Sequence, residues 1–598
     1  MRPRRRLNLF AFMPETDALF GMLMIASIAL ALFLGVAFGA FFGISNPSSG
    51  IEITTRGLEA TRAYLPVICL SGGAVSAVLC LACVLYFRHP SEIRRRRKIA
   101  PLSGKDQELQ DQVDKLAIRT GLKQLEIEMP PQGLRGTDAQ AFGVGKAHRI
   151  ALDGGFRVLR KTKPDVFIAL LHHELAHFAN GDVGRSYLSD ALWKSIRWMI
   201  ILPFAIGFFG KIIIGLYLGV VYGDLLQRVI GPALVILKLL VQFSLVTVVT
   251  AAIWARLLRT REFYADWRAA LWGSQGGLNK IFQEETETEI PKTRLTMLKL
   301  HPDAKDRMKV IQHPEALFKI SPLLVFLAGV LLSFLFASLY FSLASILAFA
   351  GVFQAIRDAS TGLLYWLARG ILWLGIISVL LLVFGSISWF INGVLLPQIQ
   401  KQVALELFEK QRGLIRYIKL LISATILVAG IEIGFAITPF GPFAPNDLWG
   451  VVVEIFIITP ILAITAWWYL AYIKFISFRL FATQVGNIFS PWKSRFIKTA
   501  SALWVLFFFI PGLFLTRYLS GELLEVFLYF SLIWLASTFL LSTVVFVASW
   551  AIIKLFFDNQ PQKCPHCGKF TQQKVPAVGL CEHCEGVLGE WLFVPEKV

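Results

Sequence analysis

The segment His173–His177 reads His-Glu-Leu-Ala-His, and its residue types and spacing are those of a zinc hydrolase centre. On a helix, positions i and i+4 lie on one face, so the imidazoles of His173 and His177 can hold a single Zn²⁺. Glu174 between them is then placed to take a proton from a water molecule beside the metal. The same pattern also arises by chance among ordinary core or surface histidines. The metal interpretation therefore depends on the surrounding sequence.

Local signals predict that this motif lies on a helix. Val166 to Leu171 is an apolar run, Pro164 suits a first helical turn, and Asn180-Gly181 suits a helix end. Thr162 and Asp165 have the spacing of a capping box at the start of that helix. A helix of this length carries both histidines within one continuous element.

A zinc ion held by two histidines needs a third protein ligand and an open position. Glu262 is the candidate, and Asp266 follows it by one helical turn on the same face. Asp266 can then accept a hydrogen bond from the free nitrogen of a liganding imidazole. Taken alone, these two residues are more simply explained as solvated acids near a membrane surface. The His-Glu-x-x-His motif favours the metal interpretation.

Together these motifs resemble the HtpX-type membrane zinc metalloproteases, gluzincins related to the CAAX prenyl endopeptidases. The resemblance covers roughly residues 1–318. The motifs that carry it are Gln140–Gly145, Ile150–Phe156, His173–His177 with Asp182, Glu262 with Asp266, and His301-Pro302 with Arg307.

The resemblance implies peptide hydrolysis with one catalytic Zn²⁺, held by His173, His177 and Glu262, and with Glu174 as general base. It further implies that His301 or Arg307 stabilises the oxyanion or holds the peptide, although His301 is equally well explained as a turn residue before Pro302. The remaining implied site residues lie behind the ligands or form a substrate-binding edge strand. They are Asp182 and Asp266 behind the ligands, and Gln140, Ala141, Phe142 and Gly143 in the strand.

The segment around these motifs has the pattern of a small α+β domain. Residues 106–120 have helical periodicity, residues 125–129 alternate as in a strand, and residues 140–152 form a strand pair interrupted by glycines. An exposed edge strand beside the zinc would bind an extended peptide through its backbone, which tolerates many sequences.

Composition independently predicts a membrane protein. Hydrophobic residues make up 56% of the chain, 49 residues are Phe and the mean hydropathy is +0.62. About 20 apolar residues in helix cross the hydrocarbon core of a bilayer. About ten stretches meet this length, near residues 18–44, 64–87, 199–222, 230–256, 321–345, 370–396, 418–438, 449–473, 499–516 and 526–553.

The basic residues indicate the orientation. Arginines precede the first stretch, and Arg94 to Lys98 follow the second, so both sides are predicted to be cytoplasmic. Counting onward places both halves of the metal site and both termini in the cytoplasm, most simply at the cell (inner) membrane. The net charge of +19 then reflects topology, so no nucleic acid is expected as a partner. No nucleotide-binding loop is visible, so no nucleotide is expected either.

The C-terminal tail carries a second metal motif. Cys564 and Cys567 form one Cys-x-x-Cys pair, and Cys581 and Cys584 form another. Two such pairs close a tetrahedral structural zinc site, and the alternative of a redox dithiol explains only one pair. We therefore expect a second, structural Zn²⁺ in a zinc ribbon.

The predicted fold is a polytopic α-helical membrane protein with an α+β gluzincin domain and a C-terminal zinc ribbon. Its predicted parts are a two-span anchor (1–98), the catalytic domain (99–190), a transmembrane hairpin (191–258), the third-ligand segment (259–318), a six-span domain (319–557) and the ribbon (558–598). Oligomeric state cannot be read from the sequence.

Two functional classes follow from this organisation. The first is an endopeptidase for polypeptides or membrane proteins in contact with membrane lipids, acting in quality control or on one defined, prenylated or signalling substrate. The second is a non-enzymatic membrane scaffold or receptor with zinc-binding modules. The presence of Glu174 favours the enzyme.

Overall fold

The structure is a computed structural model of the 598-residue chain. It describes residues 5–7, 9–12, 14–41, 57–102, 107–122, 125–130, 136–145, 147–222, 231–288, 300–334, 391–408, 415–437, 459–483, 562–563, 569–571 and 593–595.

Most described residues are helical. The helices are α1 (Glu15–Phe41), α2 (Gly57–Arg97), α3 (Gln107–Arg119), α4 (Phe156–Thr162), α5 (Pro164–Asn180), α6 (Val183–Ile196), α7 (Leu202–Tyr222), α8 (Gly231–Ala269), α9 (Gln275–Thr288), α10 (Ala304–Gln312), α11 (322–334), α12 (Leu396–Phe408), α13 (Ile415–Ile437) and α14 (Thr459–Thr483). Single π-helical turns join α6 to α7 (Arg197–Ile201) and α8 to α9 (Ala270–Ser274).

Five helical stretches are long and apolar enough to cross a membrane. They are Glu15–Gly35, Gly72–Arg97, Val183–Tyr222, Leu239–Glu287 and Pro314–Phe334. These overlap the first five predicted spans. Of the later ones, 418–438 and 449–473 fall largely on α13 and α14. Most of 370–396 and all of 499–516 and 526–553 lie outside the described residues, so the number of spans stays a prediction.

A four-stranded sheet lies beside the motif helix. Its strands are β2 (Ala100–Pro101), β3 (Glu126–Met129), β4 (Ala139–Phe142) and β5 (Arg149–Leu152), in the order β2-β3-β5-β4. β4 is an edge strand and pairs antiparallel with β5, with Ala141 opposite Ile150. The predicted helix over 106–120 and the predicted strands are confirmed within the described residues.

The edge strand is shorter than predicted, because it ends at Phe142. Gly143 lies beyond it with φ 140°, and a Cβ on Gly143 would stand 1.7 Å from the carbonyl oxygen of Ala147. Only glycine allows this close approach of two backbone segments. Gly143 therefore turns the chain from β4 toward β5.

The motif helix α5 begins and ends as predicted, but its start is not stabilised as predicted. Pro164 occupies the first turn, and Gly181 ends the helix in the left-handed conformation with φ 66°. The predicted capping box is absent from α5, which has no side-chain cap at its start. Thr162 instead donates a hydrogen bond from its hydroxyl to the carbonyl of Val158. The preceding helix α4 uses Thr162 for its own last turn.

A hydrophobic core joins the sheet to α5 and α6. Phe142 and Ile150 from the sheet pack with Leu171 and Leu175 from α5, all fully buried. Leu171 and Leu175 lie on one side of α5 because they are four residues apart. This packing leaves the other side of α5, with its histidines, to meet α8.

The two chain termini carry short strands that pair with each other. β1 (Arg5–Leu7) pairs antiparallel with β8 (Phe593–Pro595), and β6 (Gln562–Lys563) forms a hairpin with β7 (Phe570–Thr571). The four cysteines of the predicted ribbon, Cys564, Cys567, Cys581 and Cys584, lie outside the described residues.

Candidate active site

The two histidines of the motif face each other at the buried side of α5. Their Nε2 atoms are 3.2 Å apart, and their rings are nearly perpendicular. Both side chains are buried. Two imidazole nitrogens at this distance converge on one point, as the i and i+4 spacing predicts.

Helix α8 brings a carboxylate to the same point. Oε2 of Glu262 lies 3.2 Å from Nε2 of His173, and Oε1 lies 3.8 Å from Nε2 of His177. Arg261 binds Oε1 of Glu262 through Nε and a terminal nitrogen, at 3.0 and 2.7 Å, which fixes the direction of the carboxylate.

These distances fit a tetrahedral zinc site. Zinc–ligand bonds of about 2.0–2.1 Å place neighbouring tetrahedral ligands about 3.3 Å apart. The separations among His173, His177 and Glu262 are 3.2, 3.2 and 3.8 Å. Two neutral imidazoles and one carboxylate also match the donor preference of zinc. The three side chains could therefore hold Zn²⁺ without rearrangement of the backbone.

Each imidazole has a carboxylate on the side away from that point. His177 donates its Nδ1–H to Oδ1 of Asp182 at 3.0 Å, the tautomer that leaves Nε2 free for a metal. Nδ1 of His173 lies 2.8 Å from Oδ1 of Asp266, at ion-pair distance but without the alignment of a good hydrogen bond. Both carboxylates are buried.

The two buried carboxylates near His173 raise the pKa of its imidazole. Burial lowers the pKa of this imidazole, but the carboxylates of Asp266 and Glu262 outweigh burial and raise the pKa to about 10. Without a metal, these acids favour the protonated form of His173, beside the two arginines that contact the same carboxylates. A bound zinc ion would replace that proton, so metal binding would release it.

Arg307 supports Asp266. Its guanidinium binds both carboxylate oxygens of Asp266 at 2.7 Å and lies 3.9 Å from Oε2 of Glu262. A bidentate arginine fixes a carboxylate in position as well as balancing its charge. The chain Arg307–Asp266–His173 thus orients one of the two imidazoles.

The carboxylate of Glu174 points to the edge strand. One ring nitrogen each of His173 and His177 and one carboxylate oxygen of Glu174 lie within 4.8 Å of one another, close enough to share a metal ion. Oε2 of Glu174, however, accepts the backbone N–H of Ala141. Glu262 is therefore the better third ligand, and Glu174 lies between the converging point and β4.

Residues 103–315 match the model of peptidase family M48. This part of the chain is similar to the family M48 peptidases and contains the converging histidines and Glu262. The family implies a zinc metallopeptidase, which agrees with the His173, Glu174 and His177 cluster. No curated protein and no solved structure matches the chain.

The M48 match contains both α5 and the part of α8 that carries Glu262 and Asp266. The apolar hairpin between these helices lies inside the match, whereas the N-terminal helices α1 and α2 and everything after residue 315 lie outside it. The two halves of the site thus lie within one matched segment, although a long apolar stretch separates them along the chain.

His301 lines a cavity that the converging histidines do not line. It is exposed and lines this cavity of about 440 Å³ together with Arg256, Arg259 and Asp303. Thr260 and Phe263 of α8 also line this cavity, and Glu262 and Asp266 are not among its lining residues. The role predicted for His301 stays a prediction, and its place favours the turn-residue explanation.

Sequence reasoning missed two residues of this candidate site. Tyr187 of α6 donates its hydroxyl to the carbonyl of Ala141 at 2.8 Å, and Arg261 binds Glu262. Residues adjacent on a helix do not normally face each other, so spacing gave no reason to pair Arg261 with Glu262. Tyr187 and Ala141 are distant along the chain, and nothing in either local sequence connects them.

His172 is not directed to the converging point. Its Nδ1 lies 2.7 Å from the hydroxyl of Ser274, and its ring packs against Trp272. Both partners belong to the π-helical turn after α8. His172 therefore connects α5 to the end of α8 through these two contacts.

Arg307→Gln is expected to weaken zinc retention. Loss of the bidentate contact leaves Asp266 free to turn away from His173, and loss of such a supporting group typically costs about 10- to 100-fold in metal affinity. Equilibrium competition with a zinc chelator measures the change. Lys309→Met on the exposed side of the same helix is the control.

A different result would restore the role that the resemblance implies. If Arg307→Gln keeps its zinc and lowers only kcat, Arg307 acts on the substrate or the oxyanion and not through Asp266.

Proposed function

We propose that the chain is an integral-membrane zinc endopeptidase that hydrolyses peptide bonds at the cytoplasmic face, in membrane-protein quality control. The observation that carries this proposal is the convergence of His173, His177 and Glu262 at distances suited to zinc, with Glu174 beside them. A second, structural zinc ion held by the four tail cysteines is part of the proposal.

Membrane insertion is supported by the outward side chains of α7. Large apolar residues on this helix are more than half exposed in the isolated chain, among them Ile206, Phe209, Ile213, Tyr217 and Val220. A soluble protein rarely exposes so continuous an apolar surface. In a bilayer the same side chains would contact lipid.

Helix length supports a site outside the hydrocarbon. Residues 231–256 of α8 are 26 helical residues, about 39 Å at 1.5 Å per residue, which exceeds the roughly 30 Å hydrocarbon core. Glu262 and Asp266 come after this stretch. The arginines at the end of α2, Arg94 to Arg97, favour the cytoplasm as the side on which the site lies.

Zinc bound by these ligands would polarise the scissile carbonyl and lower the pKa of a nearby water molecule to about 7. Glu174 accepts the proton of the attacking water and delivers it to the leaving amine. Asp182 and Asp266 keep the two imidazoles in the orientation that binds metal. On β4, the N–H of Ala141 is bonded to Glu174 and its carbonyl accepts from Tyr187, so a peptide that pairs with the strand here would replace these two contacts.

Peptide recognition through a strand edge favours cleavage of many different substrates, as in quality control, and not the processing of one defined substrate. Backbone hydrogen bonds hold an extended peptide whatever its side chains are. Damaged membrane proteins offer unfolded segments of many sequences, and such segments can pair with β4. Processing of one prenylated or signalling substrate would require side-chain pockets in addition.

A membrane-impermeant zinc chelator is expected to stop cleavage only when it reaches the cytoplasmic side. The test uses sealed inside-out and right-side-out membrane vesicles that contain the chain and a membrane-protein substrate. We expect loss of cleavage in inside-out vesicles, no loss in right-side-out vesicles, and recovery on addition of zinc. After solubilisation in detergent, both preparations should be equally sensitive.

The reverse sidedness would overturn the assigned orientation, and cleavage insensitive to the chelator after solubilisation would overturn the zinc mechanism. Absence of cleavage in every preparation, including an unfolded soluble protein as substrate, would favour the scaffold or receptor alternative.

A further inference from the structure

A buried lysine from outside the M48 match contacts the helix that carries Glu262. Lys401 of α12 is fully buried and donates a hydrogen bond from Nζ to the hydroxyl of Tyr264, at 2.7 Å. Tyr264 is also buried and stands midway between Glu262 and Asp266 in the sequence. A buried ammonium is costly unless it is paired, so this position has to be well compensated.

The compensation comes from the first helix. The carboxylate of Glu15 is attracted to both Arg256 and Lys401, and Arg256 binds it through two nitrogens at 3.1 and 2.8 Å. The backbone N–H of Glu15 lies 3.3 Å from the hydroxyl of Tyr264 and donates to it. The hydroxyl oxygen of Tyr264 thus accepts from α1 and from α12, which matches its two acceptor positions.

Tyr264 holds the back of the ligand helix. Tyr264 is two positions from both Glu262 and Asp266, and successive residues on an α-helix are about 100° apart. Its side chain is therefore rotated by about 200° from each acid, which places it on the opposite side of α8. Contacts at Tyr264 therefore do not touch the metal site. They do fix the rotation of α8 about its own axis, on which the direction of Glu262 depends.

We propose that Lys401 is a positioning residue for the metal site. By holding Tyr264, Lys401 fixes the rotation of α8 so that Glu262 and Asp266 face His173. This gives the chain after residue 315 a defined part in the peptidase, since α12 lies outside the M48 match. The inference rests on the proposed function in one respect, the assignment of Glu262 as a zinc ligand.

Lys401→Met is expected to release the catalytic metal about tenfold faster to a chelator, a size common for coupled residues in contact. The measurement uses the full-length protein loaded with Co²⁺, because a cysteine site and a His/Glu site then absorb differently. Glu262→Gln identifies the Co²⁺ absorption that belongs to the His/Glu site, because that absorption is missing in this variant. We expect faster loss of this absorption only, and no change in that of the cysteine site. Tyr264→Phe should have a similar effect, and the double variant should be no worse than either single variant.

Lys474→Met is the matched control. Lys474 is a second buried lysine, on α14, and binds Glu406 of α12 at 2.7 Å, so its described ion pair joins two helices that carry none of the proposed zinc ligands. If burial of a charge merely stabilises the helical half, both lysine variants lower the melting temperature and neither changes metal release. If Lys401 positions α8, only Lys401→Met changes metal release. Should that variant not fold, Tyr264→Phe tests the same hydrogen bond.

The two proposals fail separately. In one outcome, metal binding depends on Glu262, but the metal is released at equal rates from the wild type, Lys401→Met and Tyr264→Phe. This outcome would overturn the positioning role alone. A wild-type protein whose metal content does not depend on Glu262 would overturn the proposed function, and this inference with it.

Discussion

Glu174→Gln is expected to abolish peptide hydrolysis while the zinc content stays the same. Glutamine has nearly the same shape as glutamate and can still accept the N–H of Ala141, but it cannot take a proton from water. General acid–base catalysis contributes about 10²- to 10⁴-fold, so cleavage should fall by at least this factor. Initial rates on an unfolded soluble protein and on a membrane-protein substrate measure the loss, with zinc quantified in the same samples.

The control for Glu174→Gln is Glu287→Gln, an exposed acid in the last turn of α9. Wild-type rates in Glu174→Gln would contradict the assignment of Glu174 as the base. Loss of zinc together with activity would mean that Glu174 is a ligand, which its cluster with the two histidines would also allow.

Glu262→Gln is expected to remove the catalytic zinc and all activity. The variant lacks the negative charge that completes the three-ligand set, and Arg261 is left beside a neutral amide where it had bound Oε1 of Glu262. Changes behind the ligands typically cost 10- to 100-fold in metal affinity, and loss of a ligand should cost more than about 100-fold. Metal analysis of the purified protein should find one zinc fewer than in the wild type.

The complementary variant replaces Cys564 and Cys581 by Ser. It should lose the other zinc and keep the Glu262-dependent one. If Glu262→Gln keeps its full zinc content while the cysteine variant loses all of it, the ribbon is the metal site and the proposed active site is wrong.

Sequence spacing was sufficient to predict the relative positions of residues that lie on the same helix. The positions of His173 and His177 predicted two imidazoles on one face because helix geometry is nearly invariant. Pro164 and Gly181 predicted the limits of α5 for the same reason: each restricts its own backbone. The relation of Glu262 to Asp266 was equally local, and the chain resembles M48 peptidases through these short motifs.

Spacing gave a wrong local structure where a neighbouring segment of the chain contacts the residue concerned. Thr162 had the position of a cap, but the short helix α4 ends there and takes its hydroxyl. Gly143 continued the pattern of the edge strand, but the backbone of Ala147 comes too close for the strand to go on. Such competition depends on how two segments pack and leaves no trace in either segment alone.

What the sequence by itself determined is therefore the chemistry: two histidines, a base, a candidate third ligand and apolar helices around them. What only the tertiary structure decided is how the carboxylates are held. Arg261 and Arg307 hold the acids of α8, Tyr187 binds Ala141, and Lys401 contacts Tyr264 from a distant helix. These contacts depend on the packing and rotation of whole helices, and the packing is set by many weak apolar contacts that no single motif encodes.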